Sequence, residues 1–582
     1  MSGWNSPGFY LKPRYRRNGS DPADMVVLGA RVLTCDEAGT RARALAVKDG
    51  RFVYVGDNKG AADFIGPDTR VINARGRMLA PGFIDAHVHI LWVGLLRAFL
   101  LDLYDCRSMD DVRRAVRAFA DEHPDLPFIF GIGWMYDYMS GNMPDVAMCD
   151  EILEDRPVFL WSYEATTGWP NRKMADLMFE KDPSTWKHLV PELDEDGKPT
   201  GMFLHAHSFD PFQFFSMEEF GPDIKSRMFE TLGKAIDGTV RAGVTAFDEL
   251  QVYKSLIPLV LEFREAGGLD DVRARGTFYV DPVDFEDQPK LRETLLWWKK
   301  LGEMESDERL KLGESLKLYI DGCFGNHTSF FLEPYLDEPD NRGEACWTQE
   351  DMDAFMTIAD GLGLQTCTHA IGDAAIRRMV DACQAARDAN GPRDSRHRMD
   401  HCEFPTREDV GRMGSLGIIA SMQPIHFFGD ESNERVVGIE RLQGFDPWRS
   451  LENAGVQLCF GTDWIAGSTL PPINPMYGLL LAATRFNYKM NTDWGPDEKI
   501  SLENAIRYYT LGSAKAMFME DEIGSIEVGK LADFTLWHTN LLGIASWWFL
   551  LTNSVEVGAL DDFLDLTVVG GKPVFTREGA TF

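Results

Sequence analysis

With 582 residues, 44% of them hydrophobic, the chain is too long for one ordinary domain and too apolar to be disordered. Its formal net charge of −32 repels phosphate backbones and anionic lipid, which argues against nucleic acid or a membrane surface as partner and leaves small neutral or cationic molecules. Nine scattered cysteines with no CxxC spacing argue against a disulfide framework and point to a reducing cytoplasm.

The first residues, "MSGWNSPGFYLKPRYRRNGS", are polar and carry no apolar core, so 1–23 reads as an N-terminal extension and not as a signal peptide. "MVVLGARVLTCD" and "ALAVKDGRFVYVGD" read as strands broken by turn residues, and "GSIEVGKLADFTLW" and "LDLTVVGGKPVF" repeat the pattern at the far end. A small β-sandwich built from 24–80 with 519–582 is therefore predicted. Between these pieces, "GFIDAHVH" is followed by "GVTAFDEL", "RARGTFYVD", "SLKLYIDG", "LQTCTHA", "RHRMDHCEF", "GIIASMQP" and "VQLCFGTDW", several of them separated by helical patterns. That makes eight strands, the count of a (β/α)8 barrel of α/β class, over 81–518. Residues 91–234 are too many for one barrel connection and are predicted to form an insertion that caps the barrel mouth. The longest apolar runs, "ILWVGLL" from Ile90 and "ASWWFLL" around Trp547, fall short of membrane-spanning length.

In such a barrel, chemistry sits at the C-terminal ends of strands. His87 and His89 are one residue apart on the first strand, so strand alternation sends both imidazoles to one side, a geometry that suits a divalent metal. Lys317, His369, His401 and Asp463 fall at or near the ends of the fourth, fifth, sixth and eighth strands. Singly, each is more often a satisfied core or rim group. Together and in this order they make a specific pattern.

Here the sequence resembles the amidohydrolase superfamily, in the family 3 branch of N-substituted formamide deformylase-like metal-dependent hydrolases. The resemblance runs from about residue 25 to the end. It rests on "APGFIDAHVH", "GIGWMYD", "LKLYIDG" with "HTSFFLEPY", "HAIGDAAI", "HRMDHCEF", "SMQPIH", "FGTDW", "LGSAKAM" and "GSIEVGKLADF". It implies a metal-dependent barrel with an accessory β-sandwich, a dimer, and hydrolysis of a C–N bond. It also implies that His87 and His89 bind the more buried of one or two divalent ions, zinc being the expected metal, and that His369 and His401 bind the second. Asp463 would hold a metal and accept a proton from the attacking water. Lys317 sits where many members carry a carboxylated lysine that bridges two metals, and an unmodified lysine beside a single metal is the alternative.

The chain departs from that pattern near the substrate. Relatives carry an Asp-Gly-His stretch where this chain reads "YEATTGWPN", so Ala165, Thr166 or Thr167 replaces the histidine. His327, in "NHT", replaces an arginine, which weakens the case for a carboxylate substrate. His426 is retained as a candidate substrate contact. Trp134 and Trp464, with Tyr136, Trp161, Trp169 and Phe427, cluster around these motifs and suggest an apolar or aromatic pocket. The second HxH, His205 and His207, reads as structural or rim, and His123, His188, His397 and His538 as surface or scaffold. The expected function is hydrolysis of an amide, formamide, carbamate or related C–N bond in a small substrate. The alternatives are a lyase, isomerase or hydratase on the same metal barrel, and a non-enzymatic scaffold.

Overall fold

The computed structural model describes residues 21–136, 144–181, 189, 191–193, 195, 199–427, 431–464, 474–486, 494–544 and 563–582. Most of the expected N-terminal extension, His188 and the apolar run around Trp547 lie outside the described residues.

Eight parallel strands form the central sheet in sequence order: β1 (Phe83–Val88), β2 (Val244–Val252), β3 (Arg273–Tyr279), β4 (Ser315–Tyr319), β5 (Gln365–Ala370), β6 (Arg398–His401), β7 (Ile419–Met422) and β8 (Leu458–Phe460). Every residue in them is buried, including charged ones such as Asp248, Arg275, Lys317 and Arg398. The sheet closes on itself just past β8, where the Asp463 amide donates to the His87 carbonyl at 2.7 Å and the His89 amide to the Trp464 carbonyl at 2.7 Å. The predicted (β/α)8 barrel and its eight strands are thus present.

Helices cover the outside. In α1 (Ile224–Arg241), Met228, Leu232, Ala235, Ile236, Thr239 and Val240 are buried at three- and four-residue spacing, one apolar stripe laid against the barrel. In α2 (Gln349–Gly361), the Thr348 hydroxyl accepts from the Asp351 amide at 3.1 Å, capping the helix start. It lies beside α3 (Asp373–Asn390). No helix among the described residues is long and apolar enough to cross a membrane.

Strands from both ends of the chain meet in one sheet, ordered Lys572–Thr576, Leu564–Val569, Phe534–Trp537, Met78–Pro81, Arg31–Leu33, Arg41–Ala42. A second sheet, from Arg51–Gly56 to Arg70–Asn73, shares an apolar core with it that includes Val27, Leu45, Phe52, Phe534, Leu536 and Val568. Between β1 and β2 the chain builds another six-stranded sheet, whose strands run from Leu100–Asp102 to Pro199–Phe203. Its turn at Thr166 and Thr167 faces the loop after β4, where the Asn326 amide donates to Tyr136 Oη at 3.3 Å and to Thr167 Oγ1 at 3.2 Å.

Candidate metal centre

The C-terminal ends of β1, β6 and β8 bring one cluster together. His87 and His89 both aim Nε2 at Asp463 Oδ1, at 3.4 and 3.1 Å. Ligand atoms of His87, His401 and Asp463 all lie within 4.8 Å of one another. His369 adds a ring 4.3 Å from that of His401, and His426 stacks on the far side of His401 at 5.8 Å.

Local structure explains the convergence. His89 is not in the strand: it begins the helix Ile90–Leu96, whose first amides are held by the Glu249 carboxylate at the end of β2, with Leu91 donating at 2.6 Å. Its ring nevertheless meets that of His87, 5.6 Å away. Asp463 likewise follows β8 by three residues. Its backbone has φ +53° and that of His401 has φ +71°, a left-handed conformation that non-glycine residues adopt at a cost. The strain turns both side chains inward at the barrel rim.

Behind the cluster lies a buried ionic lattice. Asp400 accepts from Arg398 at 2.8 Å and pairs with the Lys317 ammonium at 3.3 Å. Arg398 also reaches Asp248 at 2.6 Å, which pairs with Arg275. Lys317 therefore has a carboxylate partner already, and its Nζ sits 4.6 Å over the Tyr319 ring. On the other side, Asp85 accepts from the Thr462 hydroxyl at 2.6 Å and amide at 2.9 Å, which ties β1 to the residue preceding Asp463.

Burial sets the protonation. It pushes the His87 imidazole down to about 4 and His369 to about 3, and holds His401 well below its ordinary value, so these rings are neutral near pH 7. Burial would raise the Asp463 carboxyl, but His87 and His89 beside it outweigh that and hold it well below the usual carboxylate range. His426 goes the other way. Burial lowers it, yet Glu403 and Asp463, with Nδ1 and Nε2 at 3.8 and 3.6 Å from their oxygens, leave it raised.

Neutral imidazoles and an ionised carboxylate are the donor set a divalent transition metal takes. Asp463 Oδ1 and His401 Nδ1 are buried without a hydrogen-bond partner, an arrangement that costs about 1–3 kcal/mol per atom unless a ligand compensates it. Bonds of about 2.0–2.2 Å need donor atoms roughly 3.4 Å apart, which the His87, His89 and Asp463 spacings match. The residues present fit the ion.

Several expected substrate contacts lie elsewhere. Trp134 is wholly buried in the core of the insertion, its indole N–H donating to the Leu160 carbonyl at 2.9 Å. Trp161 and Trp169 are core residues too. The His327 ring nitrogen Nε2 lies 2.9 Å from Asp337 Oδ1. Trp464 closes the barrel beside His89, with the Arg97 guanidinium stacked 5.3 Å over its ring. His426 is at the cluster.

One group, Glu403, went unread in the sequence, and His207 was read there as structural or rim. Glu403, two residues after His401 in "DHCEF", forms a second convergent set with His401 and His426. His207, from the insertion, stacks on Tyr319 at 3.9 Å, and Tyr319 in turn lies 5.1 Å from His369. Its place in a second HxH was the available signal. Near it, a cavity of about 510 Å³ opens at the ends of β2 and β3, with Phe209, Tyr253, Phe278 and Tyr279 in its lining.

Barrel, strand-end histidines and aspartate together define a metal-dependent hydrolase. A family model described as "Amidohydrolase family" matches residues 70–575, and the chain belongs to that family. It is 29% identical to the protein LONG AFTER FAR-RED 3 of Arabidopsis thaliana, over 95% of this chain and 92% of that one. It is 26% identical to the putative amidohydrolase YtcJ of Bacillus subtilis (87% and 93% covered) and 25% identical to N-substituted formamide deformylase of Arthrobacter pascens (88% and 92%). Among solved structures, an uncharacterized metal-dependent hydrolase from Pyrococcus horikoshii superposes with a TM-score of 0.67 at 20% identity, covering 89% of this chain and 98% of that one. The atrazine chlorohydrolase TrzN of Arthrobacter aurescens, solved with zinc, gives 0.51 at 16% identity, covering 95% and 96%.

Proposed function

We propose that the protein hydrolyses a C–N bond, of an amide, formamide or carbamate, in a small substrate with an apolar or aromatic part. The observation that carries this reading is the meeting of His87, His401 and Asp463 ligand atoms within 4.8 Å at the barrel mouth. His87, His89, His401 and Asp463 would hold the ion, with His369 at its edge. When bound, a divalent ion polarises the substrate carbonyl and brings the pKa of water from about 16 toward about 7.

The chain's own groups do the rest. Asp463, held ionised, takes the proton of the attacking water and returns it to the leaving nitrogen. His426 presents Nε2, buried and without a hydrogen-bond partner, as donor to the substrate oxygen. The Gln423 amide nitrogen, 3.0 Å from His87 Nδ1 and 3.2 Å from the Ser421 carbonyl, holds the His87 ring in place from behind.

Lys317 has two readings. Carboxylated, as the resemblance implies, it would give up Asp400 and bridge a second ion with His369. As an ammonium it stays paired with Asp400 beside one ion. Metal stoichiometry and intact mass separate them: two ions with a carbamate, or one without.

The test of the function is turnover of a panel of N-substituted formamides, amides and carbamates, with products resolved by mass spectrometry. The zinc-loaded protein should release amine and acid, and chelation or His401→Ala should abolish both metal and turnover. A product isomeric with the substrate would point instead to an isomerase, cleavage without uptake of water would point to a lyase, and full turnover by the chelated protein would refute the reading.

A further inference from the structure

The insertion carries a carboxylate, Glu164, that the chemistry above does not use. Glu164 is buried, with 8% of its surface exposed. Its Oε1 is saturated, accepting from Tyr136 Oη at 2.5 Å, Ser162 Oγ at 2.9 Å and Thr166 Oγ1 at 2.9 Å. Its Oε2 has no hydrogen-bond partner, and no Lys, Arg or His among the described residues pairs with it. A carboxylate oxygen left dry and unpaired is costly, so its retention calls for a donor that arrives with something else.

The surroundings say where that donor comes from. Asn326, in the loop after β4, donates to Tyr136 Oη at 3.3 Å and Thr166 Oγ1 at 3.4 Å, so the Glu164 turn faces the barrel mouth and not the outer surface. Half-buried Cys323 on that loop is pushed up by burial first and by the Glu164 charge next. Ala165, the next residue, has φ +59°, a left-handed turn that shapes this stretch at the mouth. The histidine expected from relatives in this turn is absent, and the polar cluster instead surrounds an acid.

We infer that Glu164 is the specificity-determining residue of the substrate pocket and receives a protonated amine at the end of the substrate remote from the scissile bond. This deepens the hydrolase reading, on which it rests. A cationic substrate also agrees with the chain's net charge of −32.

The experiment is calorimetric binding of benzylammonium against benzyl alcohol to the full-length protein, zinc-loaded and chelated, so that it does not depend on finding a substrate. The wild type should bind the ammonium about 10- to 100-fold more tightly, the worth of a charge-assisted hydrogen bond. Glu164→Gln should remove that difference while leaving metal content and melting temperature unchanged, and Glu164→Asp should keep part of it. If the Gln variant does not fold, the wild-type comparison stands alone: equal binding of the two probes, or none, overturns the inference. A preference that survives Glu164→Gln overturns it as well. Ammonium preference with no turnover of any C–N substrate would sink the hydrolase reading and leave the pocket assignment standing.

Discussion

Asp463 shows how a single residue combines two roles through its setting. Its carboxylate is buried at a strained backbone position, faces three imidazoles and is kept ionised by them, so it is both ligand and the nearest base to the attacking water. Asp463→Asn keeps the shape and some ligand capacity but removes the base. Turnover should fall by about 10²–10⁴-fold, the usual worth of a general base, while bound metal declines less. Near wild-type turnover with metal bound would reject the role.

Elements matter because the ligands come from strands that must approach closely. At Gly461, just past β8, an added Cβ would lie 2.6 Å from the His87 backbone nitrogen and 2.7 Å from its Cβ. Only glycine lets β8 sit this near β1. Gly461→Ala is therefore expected to spread the closing seam and displace His87 from Asp463 without altering any ligand. Metal affinity measured by competition with a chelating dye should drop about 10- to 100-fold, the usual consequence of disturbing a ligand's support, and stability should fall by about 1–3 kcal/mol. Unchanged affinity would mean the seam is softer than its contacts indicate. A second element-scale dependence runs through α2: Asp360, near its end, is buried up by desolvation yet brought down to about 2 by His397, Asn390 and Arg393. Being depressed, it stabilises the fold above its ordinary value of 3.8 and loses that contribution as pH falls from 3.8 toward about 2. Asp360→Asn should thus lower the melting temperature at pH 7, with the gap to wild type narrowing only in that acid window.

Across the whole molecule, the barrel and the terminal sheets are joined by a buried ion pair. Arg273 on β3 donates to Asp533 at 2.7 and 3.1 Å, with both side chains nearly inaccessible, and the Gly570 amide adds a bond at 2.6 Å. Removing Asp533 leaves the buried Arg273 guanidinium with only the half-exposed Glu308 carboxylate, 2.8 Å away. Asp533→Ala should destabilise by about 3–5 kcal/mol in chemical denaturation, whereas replacing both Arg273 and Asp533 with apolar residues should cost much less. Equal losses in the single and double variants would contradict this account.

The sequence alone determined the barrel, its eight strands, and the order in which His87, His89, Lys317, His369, His401 and Asp463 follow them. That information is local: turn residues bound the strand runs, and a barrel puts its chemistry at or near the strand ends. What it left open depends on partners distant in the chain. Trp134 is a core residue because Leu160 accepts its N–H, and the His327 ring is held by Asp337. Lys317 has Asp400 beside it because β4 and β6 flank β5. Glu164 stands out only when Asn326, more than a hundred residues later, brings its turn to the barrel mouth. Side chains at a rim have no period to constrain them, so which way they face is decided by the elements packed against them, and only the tertiary structure supplies those.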